Sequence, residues 1–352
     1  MKGNGRKKAI FVNDTSQSYH WGCYATSMAI KHGLEDAGYD VTSFPVEVTH
    51  TGLGVAPEGV DDLSAFSAQL PTSAPALWAA LQGCDLVVVN GEGTLHRFHA
   101  GPRSLLALLW TAKREGKPVH LINHSLFPSG SKLEAPQNVE EYYRACLEGV
   151  ERIVVRENHS KLVYNRLGID AILGFDCLPL FSEGLRLPNV PESIMLCGAS
   201  NWSSDEAEEV GQTLSGVLKK STPVVFLSGG PISPPEDKMH FESLRKGFPD
   251  LEFAEPENVE RWLSLIAHAK LVVTGRFHHL IAAISLSAPV VMMPGNTSKS
   301  DAVCQFLGID LPLVSNDRTL VDRVASALDR PVRTSEADLM LVRALASRNV
   351  AF

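Results

Sequence analysis

Residues 271–300 read LVVTGRFHHLIAAISLSAPVVMMPGNTSKS, and the fold is decided there. Leu271, Val272 and Val273 form a short apolar run, Gly275 punctuates it, and Leu280, Ile281, Ile284 and Leu286 then recur near helical spacing. A second apolar run at 289–293 is broken by Pro294-Gly295, and Lys299 opens a further helix. The pattern is strand, turn, helix, strand, turn, helix, which is the grammar of a parallel sheet with both turns at the carboxyl ends of neighbouring strands. Arg276, His278 and Lys299 are thereby expected in one crevice.

Cationic groups at two strand-to-helix turns make a cradle for a small polyanion. Free backbone N–H groups and the positive end of a helix dipole favour phosphate or carboxylate there, and an arginine adds a two-pronged fork. Singly, each residue reads as well as a turn cap or a partly buried packing residue; together, at matched turns, they favour an anion site. The order Gly275-Arg276-Phe277-His278, helix, apolar strand, Pro294, Lys299 and then Phe306-Leu307-Gly308-Ile309 resembles the polysaccharide pyruvyl transferases. In that family a Gly-Arg-Leu/Phe-His element and a downstream lysine hold phosphoenolpyruvate. His279 departs from the glycine more common there and reads as a packing residue.

Composition sets the limits. A chain of 352 residues, 44% of them hydrophobic, can bury two cores of ordinary size, so two domains are expected. The balance of 32 basic against 40 acidic residues gives a net charge of −8, which disfavours nucleic acid and anionic lipid as partners and makes any anion site local. The one basic run, residues 2–8, reads as a solvated end. Cys23, Cys84, Cys146, Cys177, Cys197 and Cys304 show neither CxxC nor zinc-like spacing and read as reduced core residues, so no metal and no cofactor are expected. No apolar stretch approaches the ~20 residues that span a bilayer, and no signal peptide is read, so the expected location is cytoplasmic, with at most peripheral contact to the inner face of the membrane.

From the amino end, 9–13 reads as the first strand, with Asn13, Asp14 and His20 at its carboxyl end and a helix over 22–38. The family usually shows Asn and Gly-Asp there; Asn13-Asp14-Thr15-Ser16 departs from this, and Asp14 and His20 read equally as turn residues. Residues 45–75, rich in Gly, Pro, Ser and Thr, read as a long loop and a candidate acceptor lid, with short helical turns inside it or a merely mobile excursion as the other readings. The strand 84–90 ends in Gly91-Glu92-Gly93-Thr94-Leu95-His96, whose glycines suit close ligand approach and which is similar to a family segment, placing Glu92 and His96 at a cleft. Strands at 119–123, 151–155 and 171–173 and helices at 103–115, 139–147 and 161–167 continue the alternation. By resemblance, Arg156 in Val155-Arg156-Glu157-Asn158-His159-Ser160 reaches the donor's phosphate or carboxylate; the lesser reading is a surface pair with Glu157. Asp176 fits the family's hinge region, where it would orient a basic ligand residue or serve as a cleft acid/base, and reads equally as a local cap.

Residues 183–191, polar and proline-bearing, are the expected linker between an N-terminal domain of 1–182 and a C-terminal domain of 192–330; a helix in 331–352 is expected to cross back. The second half alternates strands at 194–197, 224–227, 251–253, 271–273 and 290–293 with helices at 205–220, 238–246, 259–267, 279–286 and 299–307, and 201–203 and 228–231 are strand-tip loops. The resemblance implies an α/β protein of two Rossmann-like doubly wound domains facing a central cleft, GT-B-like.

It also implies a reaction: transfer of pyruvate from phosphoenolpyruvate to a sugar of a cell-surface polysaccharide or its precursor, on a glycan or lipid-linked oligosaccharide acceptor. His278 is assigned acid catalysis, and Glu92 or Asp14 the base. Arg156, Arg276 and Lys299, with Asn13, His20, His96 and Asp176, are assigned substrate contacts. A GT-B glycosyltransferase using a nucleotide-activated sugar is the alternative, and a non-catalytic partner in capsule assembly is a third reading.

Overall fold

A computed structural model describes residues 6–17, 20–130, 132–200, 202–218, 222–231, 235–311 and 318–352. Most of the basic run at 2–8, Asn201 of the 201–203 loop, and the end of the helix expected over 205–220 lie outside the described residues. The chain divides into two units: unit 1 holds Met1–Gln17, Thr26–Cys177 and Leu345–Phe352, and unit 2 holds Ser18–Ala25 and Leu178–Ala344. The division after Cys177 lies a few residues before the polar stretch 183–191.

Unit 1 is organised on the sheet β2-β1-β3-β4-β5-β6, parallel throughout. Its strands are β1 (Lys7–Asp14), β2 (Tyr39–Pro45), β3 (Leu86–Glu92), β4 (Val119–His124), β5 (Arg152–Val155) and β6 (Ile172–Leu173). The central β3 and β4 are buried along their whole length, as strands covered by helices on both faces must be. Helix α5 (Ala100–Arg114) buries Leu105, Leu106, Leu108 and Leu109 in the core, beside Tyr142 and Tyr143 of α6 (Gln137–Leu147). Helix α7 (Asn158–Leu167) starts where Glu157 accepts the Ser160 N–H at 2.7 Å, so Glu157 caps a helix rather than pairing with Arg156.

Residues 45–75 are not a long loop. They carry α2 (Val46–Thr51) and α3 (Leu63–Ser73), followed by α4 (Pro75–Gly83), and Leu53, Leu63, Phe66 and Leu70 are buried in the core. The Gly-, Pro-, Ser- and Thr-rich composition masked α2 and α3, although Leu63, Phe66 and Leu70 of α3 recur at helical spacing. Strand β2 was not expected either; it lies at the sheet edge and is only partly buried, so it lacks an apolar run.

Unit 2 carries the sheet β11-β10-β7-β8-β9, also parallel. Its strands are β7 (Ser193–Ala199), β8 (Val224–Leu227), β9 (Glu252–Ala254), β10 (Ala269–Gly275) and β11 (Val290–Met292). Around them lie α8 (Leu178–Ser182), α9 (Ser204–Ser215), α10 (Pro235–Arg245), α11 (Val259–Ala267), α12 (Phe277–Ser285), α13 (Lys299–Leu307) and α14 (Arg318–Asp329). Helix α9 begins with a reciprocal cap between Ser203 and Glu206, and α11 with Asn258 accepting the Arg261 N–H. Leu320 and Val324 of α14, a helix the sequence reading lacked, are buried in this unit's core.

Helix α15 (Glu336–Ala346) ends as the chain rejoins unit 1 at Leu345. There Asn349 accepts the Asn123 N–H at 2.8 Å and donates to the Phe175 carbonyl at 2.7 Å, and Arg348 donates to the Leu173 carbonyl.

Candidate functional site

In unit 2 the strand order reverses between β7 and β10: the chain runs from β7 outward through β8 and β9, then returns to β10 and continues to β11. Ligands of open α/β sheets bind at the carboxyl ends of the strands at such a reversal. Gly275 ends β10 there, so close to Ala199 of β7 that a Cβ would collide with the alanine side chain. Arg276 follows as the N-cap of α12, its N–H held by Thr274 Oγ1 at 2.9 Å.

The Arg276 guanidinium meets Asp237 Oδ1, from the first turn of α10. The other Asp237 oxygen accepts from the Gly229 N–H at 3.0 Å and from Ser228 Oγ at 3.2 Å. Burial pushes the Asp237 carboxyl up, but Arg276 and the Gly229 N–H outweigh it and hold it below its usual value. The Gly229 carbonyl accepts the Trp21 N–H at 2.7 Å, fixing the start of α1 (Trp21–Asp36), whose first residues belong to unit 2, onto the same loop.

Three histidines complete the cluster. Burial, then the charge of Arg276 and the neighbouring His278, push His20 down to about 4 against the opposing pull of Asp237. His279 is 3% exposed, accepts the Trp262 indole N–H at Nε2 at 3.3 Å, and is pushed down to about 3 chiefly by burial. His278, half-buried in the first turn of α12, lies with Nδ1 3.7 Å from Cys23 Sγ. Lys299, the first residue of α13, places Nζ 5.3 Å from the centre of the Phe277 ring.

Of the predicted residues, His20, Arg276, His278 and Lys299 therefore belong to one unit, with three of them around one strand reversal. Asp237 and Cys23 were missed. An acid opening a helix after the strand tip Ser228-Gly229-Gly230-Pro231 was the available signal for Asp237; Cys23 carried none beyond being a cysteine.

Two expected outcomes follow from this packing. A Cβ on Gly22 would fall inside the His278 side chain. Gly22→Ala in α1 should on helix propensity stabilise by ~1 kcal/mol, yet the collision makes a net loss of about 1–2 kcal/mol the expected result, read as a lower urea midpoint. The second concerns acid. A histidine whose folded pKa lies below its unfolded value of about 6.5 costs nothing above that pH; below it the unfolded chain binds the extra proton, so stability falls as pH drops. His279 and, in unit 1, His124, also pushed down to about 3 by burial and then Arg156, give this sign. Urea midpoints should decline from about pH 6.5 downward, and His279→Gln, which can still accept from Trp262, should flatten that slope; an unchanged slope would remove His279 from the account.

In unit 1 the order reverses between β1 and β3. Asn13, Glu92 and Asn123, at the ends of β1, β3 and β4, take φ of 62°, 44° and 50°, and all three are buried. The left-handed residue is thus Glu92 itself rather than a flanking glycine. Asparagine tolerates this conformation; for a glutamate it costs ~1–3 kcal/mol, the kind of strain found where function fixes the backbone.

The side chains there bond one another. Asn13 donates to the Asn90 carbonyl at 2.6 Å and to Thr94 Oγ1 at 3.1 Å, and accepts from Thr49 at 3.0 Å. Glu92 accepts from Thr26 at one oxygen and from Arg156 at 3.0 Å at the other. The Arg156 side chain is 1% exposed, with Nη1 3.0 Å from both Glu92 and Asp176 and Nε 2.9 Å from Ser125 Oγ, so it knits a buried charge network rather than a surface pair with Glu157. Asp14 accepts the Ser16 N–H at 2.9 Å and lies 3.5 Å from Lys31 Nζ, a local turn cap with a lysine partner. His96 is half-buried in the loop after β3, bridged to Phe127.

Comparison with known proteins fits this geometry. UDP-GlcNAc 2-epimerase from Methanocaldococcus jannaschii is similar over 96% of this chain and 99% of its own, at 14% identity and a TM-score of 0.62. The Neisseria meningitidis UDP-GlcNAc 2-epimerase bound to UDP-GlcNAc (12% identity, 93% and 92% covered, TM-score 0.57) and a glycosyltransferase from Rickettsia africae (14%, 98% and 96%, 0.58) are also similar. At such identities the likeness is one of fold: mixed α/β with two parallel sheets, GT-B-like. No curated protein matches the sequence. The profile of the polysaccharide pyruvyl transferases matches residues 20–296, a span that runs from His20 through the Arg276–His278 turn, and the chain belongs to that family.

Proposed function

We propose that the protein transfers pyruvate from phosphoenolpyruvate to two hydroxyls of one sugar in a cell-surface polysaccharide or its precursor, forming a cyclic ketal and releasing phosphate. The observation that carries this reading is Arg276 at the strand reversal of unit 2, at the start of a helix and amid His20 and His278, inside the span shared with the family.

The donor bears a phosphate and a carboxylate. Arg276, the first N–H groups of α12 and Lys299 supply the positive field, and neutral His20 supplies a hydrogen-bonding edge without a fixed charge. His278 donates a proton to the methylene carbon, leaving positive charge on the adjacent carbon. The first sugar hydroxyl bonds there and gives its proton to the base, Glu92 or Asp14; the second hydroxyl bonds to the same carbon as the bond between that carbon and the bridging phosphate oxygen breaks, and its proton leaves with the phosphate. Of unit 1, Glu92, held by Arg156 and Thr26, and Asp14 are the proposed bases, and Asn13 and His96 the proposed acceptor contacts; Arg156 and Asp176 act here by fixing Glu92.

The test is incubation of the protein with phosphoenolpyruvate and a panel of glycans and lipid-linked oligosaccharides. Phosphate release with an acceptor mass gain matching a pyruvate ketal is expected. The GT-B likeness gives the rival reading, a glycosyltransferase using a nucleotide-activated sugar, its test. Stabilisation by nucleotides or nucleotide sugars and none by phosphoenolpyruvate would replace the first reading with the second.

A further inference from the structure

We infer that Asp237 is a positioning residue for the donor: it sets the direction of the Arg276 guanidinium and so determines how tightly the phosphate or carboxylate of phosphoenolpyruvate is held. The inference rests on the function proposed above and adds to it a residue from a different element, α10, that the sequence reading did not reach.

The bonding around the carboxylate has two sides. Oδ1 meets Arg276, and Oδ2 is fixed by the Gly229 N–H and the Ser228 hydroxyl, both from the tip of β8. Asp237 itself is 1% exposed, while the Arg276 side chain keeps 13% of its surface open. The rigid partner is thus the acid and the partly open one the arginine. A guanidinium has five N–H donors in a planar fork, and one carboxylate oxygen occupies only part of it; holding one edge orients the remainder toward a ligand at the strand reversal.

The alternative for a long arginine side chain is rotamer freedom, and ordering it on binding costs entropy. Asp237 removes that cost in advance. It also faces His20, His240 and His279, whose pKa values it raises against the larger effect of burial. One carboxylate therefore offsets the arginine while the imidazoles around it remain neutral.

Asp237→Asn keeps the size and the Gly229 and Ser228 contacts but turns an amide toward the guanidinium. The expected result is a phosphoenolpyruvate KM and Kd raised about tenfold or more with kcat within about twofold, the pattern of lost donor binding. In an Arg276→Ala background the same change should add nothing, because Asp237 acts through Arg276. Should Asp237→Asn fail to fold, Ser228→Ala, which loosens Oδ2 without touching charge, should raise the donor KM in the same direction by a smaller factor. A wild type that binds phosphoenolpyruvate while the folded Asn variant, or Ser228→Ala in its place, binds it equally well overturns the inference and leaves the proposed function standing. An effect of Asp237→Asn that persists undiminished without Arg276 overturns it too. A wild type that does not bind phosphoenolpyruvate removes both.

Discussion

Arg276→Ala is expected to abolish the stabilisation of the protein by phosphoenolpyruvate and to raise the donor requirement by roughly thirty- to a few thousand-fold. Removing one member of a desolvated, hydrogen-bonded charge pair costs about 2–5 kcal/mol, and each 1.4 kcal/mol is a factor of ten. Two losses add. The ligand loses its forked donor, and Asp237, buried in the first turn of α10 against the tip of β8, loses the guanidinium that compensates it. A thermal-shift titration with phosphoenolpyruvate, backed by steady-state donor kinetics, reads the first; the midpoint of the ligand-free protein reads the second. Arg276→Lys should fall between, since a point charge keeps the field and loses the fork. Undiminished donor-dependent stabilisation in the alanine variant would dismiss Arg276 from the site.

The second large effect belongs to Arg156, and it is one of folding. Arg156→Met leaves Glu92 and Asp176 buried together with no cation between them, and breaking a buried ion pair in this way costs about 3–5 kcal/mol. Against a typical total of about 5–15 kcal/mol, unit 1 should unfold at much lower urea. The triple variant Arg156→Met, Glu92→Gln, Asp176→Asn removes every charge of the network and should recover a good part of the loss. If Arg156→Met leaves the urea midpoint of unit 1 in place while donor binding collapses, the arginine serves the ligand after all and the network is incidental.

These two arginines show what a sequence can and cannot say. Both end a strand and precede a helix, and both match the family's pattern, so a one-dimensional reading treats them alike. Their strand-end placement was legible because apolar runs such as 271–273 and 153–155 are bounded by turn residues on both sides. Their partners were not. Asp237 is 39 residues from Arg276, and Glu92 is 64 from Arg156. Nothing in local periodicity links such pairs; only the packing of strands from different parts of the chain does.

The same distinction explains the errors of detail. The helix α3 in the expected loop at 45–75 was masked by the Gly, Pro, Ser and Thr around it although Leu63, Phe66 and Leu70 keep helical spacing, and β2 went unseen because an edge strand buries only part of its length. Cys23 read as a core thiol from its surroundings; that its sulfur faces His278 depends on Gly22 letting α1 approach α12.

By itself, then, the sequence determined the alternation of buried strands and helices, because backbone periodicity and turn chemistry are local and are written in neighbouring residues, and the resemblance of its Gly275-Arg276-Phe277-His278 stretch pointed to the family. The tertiary structure alone decided which cation stands at an open strand tip and which is sealed within a charge network. Burial and hydrogen-bond partnership are sums over residues distant in the chain, and the cost of an uncompensated buried charge makes those partnerships, not the residue type, set what each arginine can do.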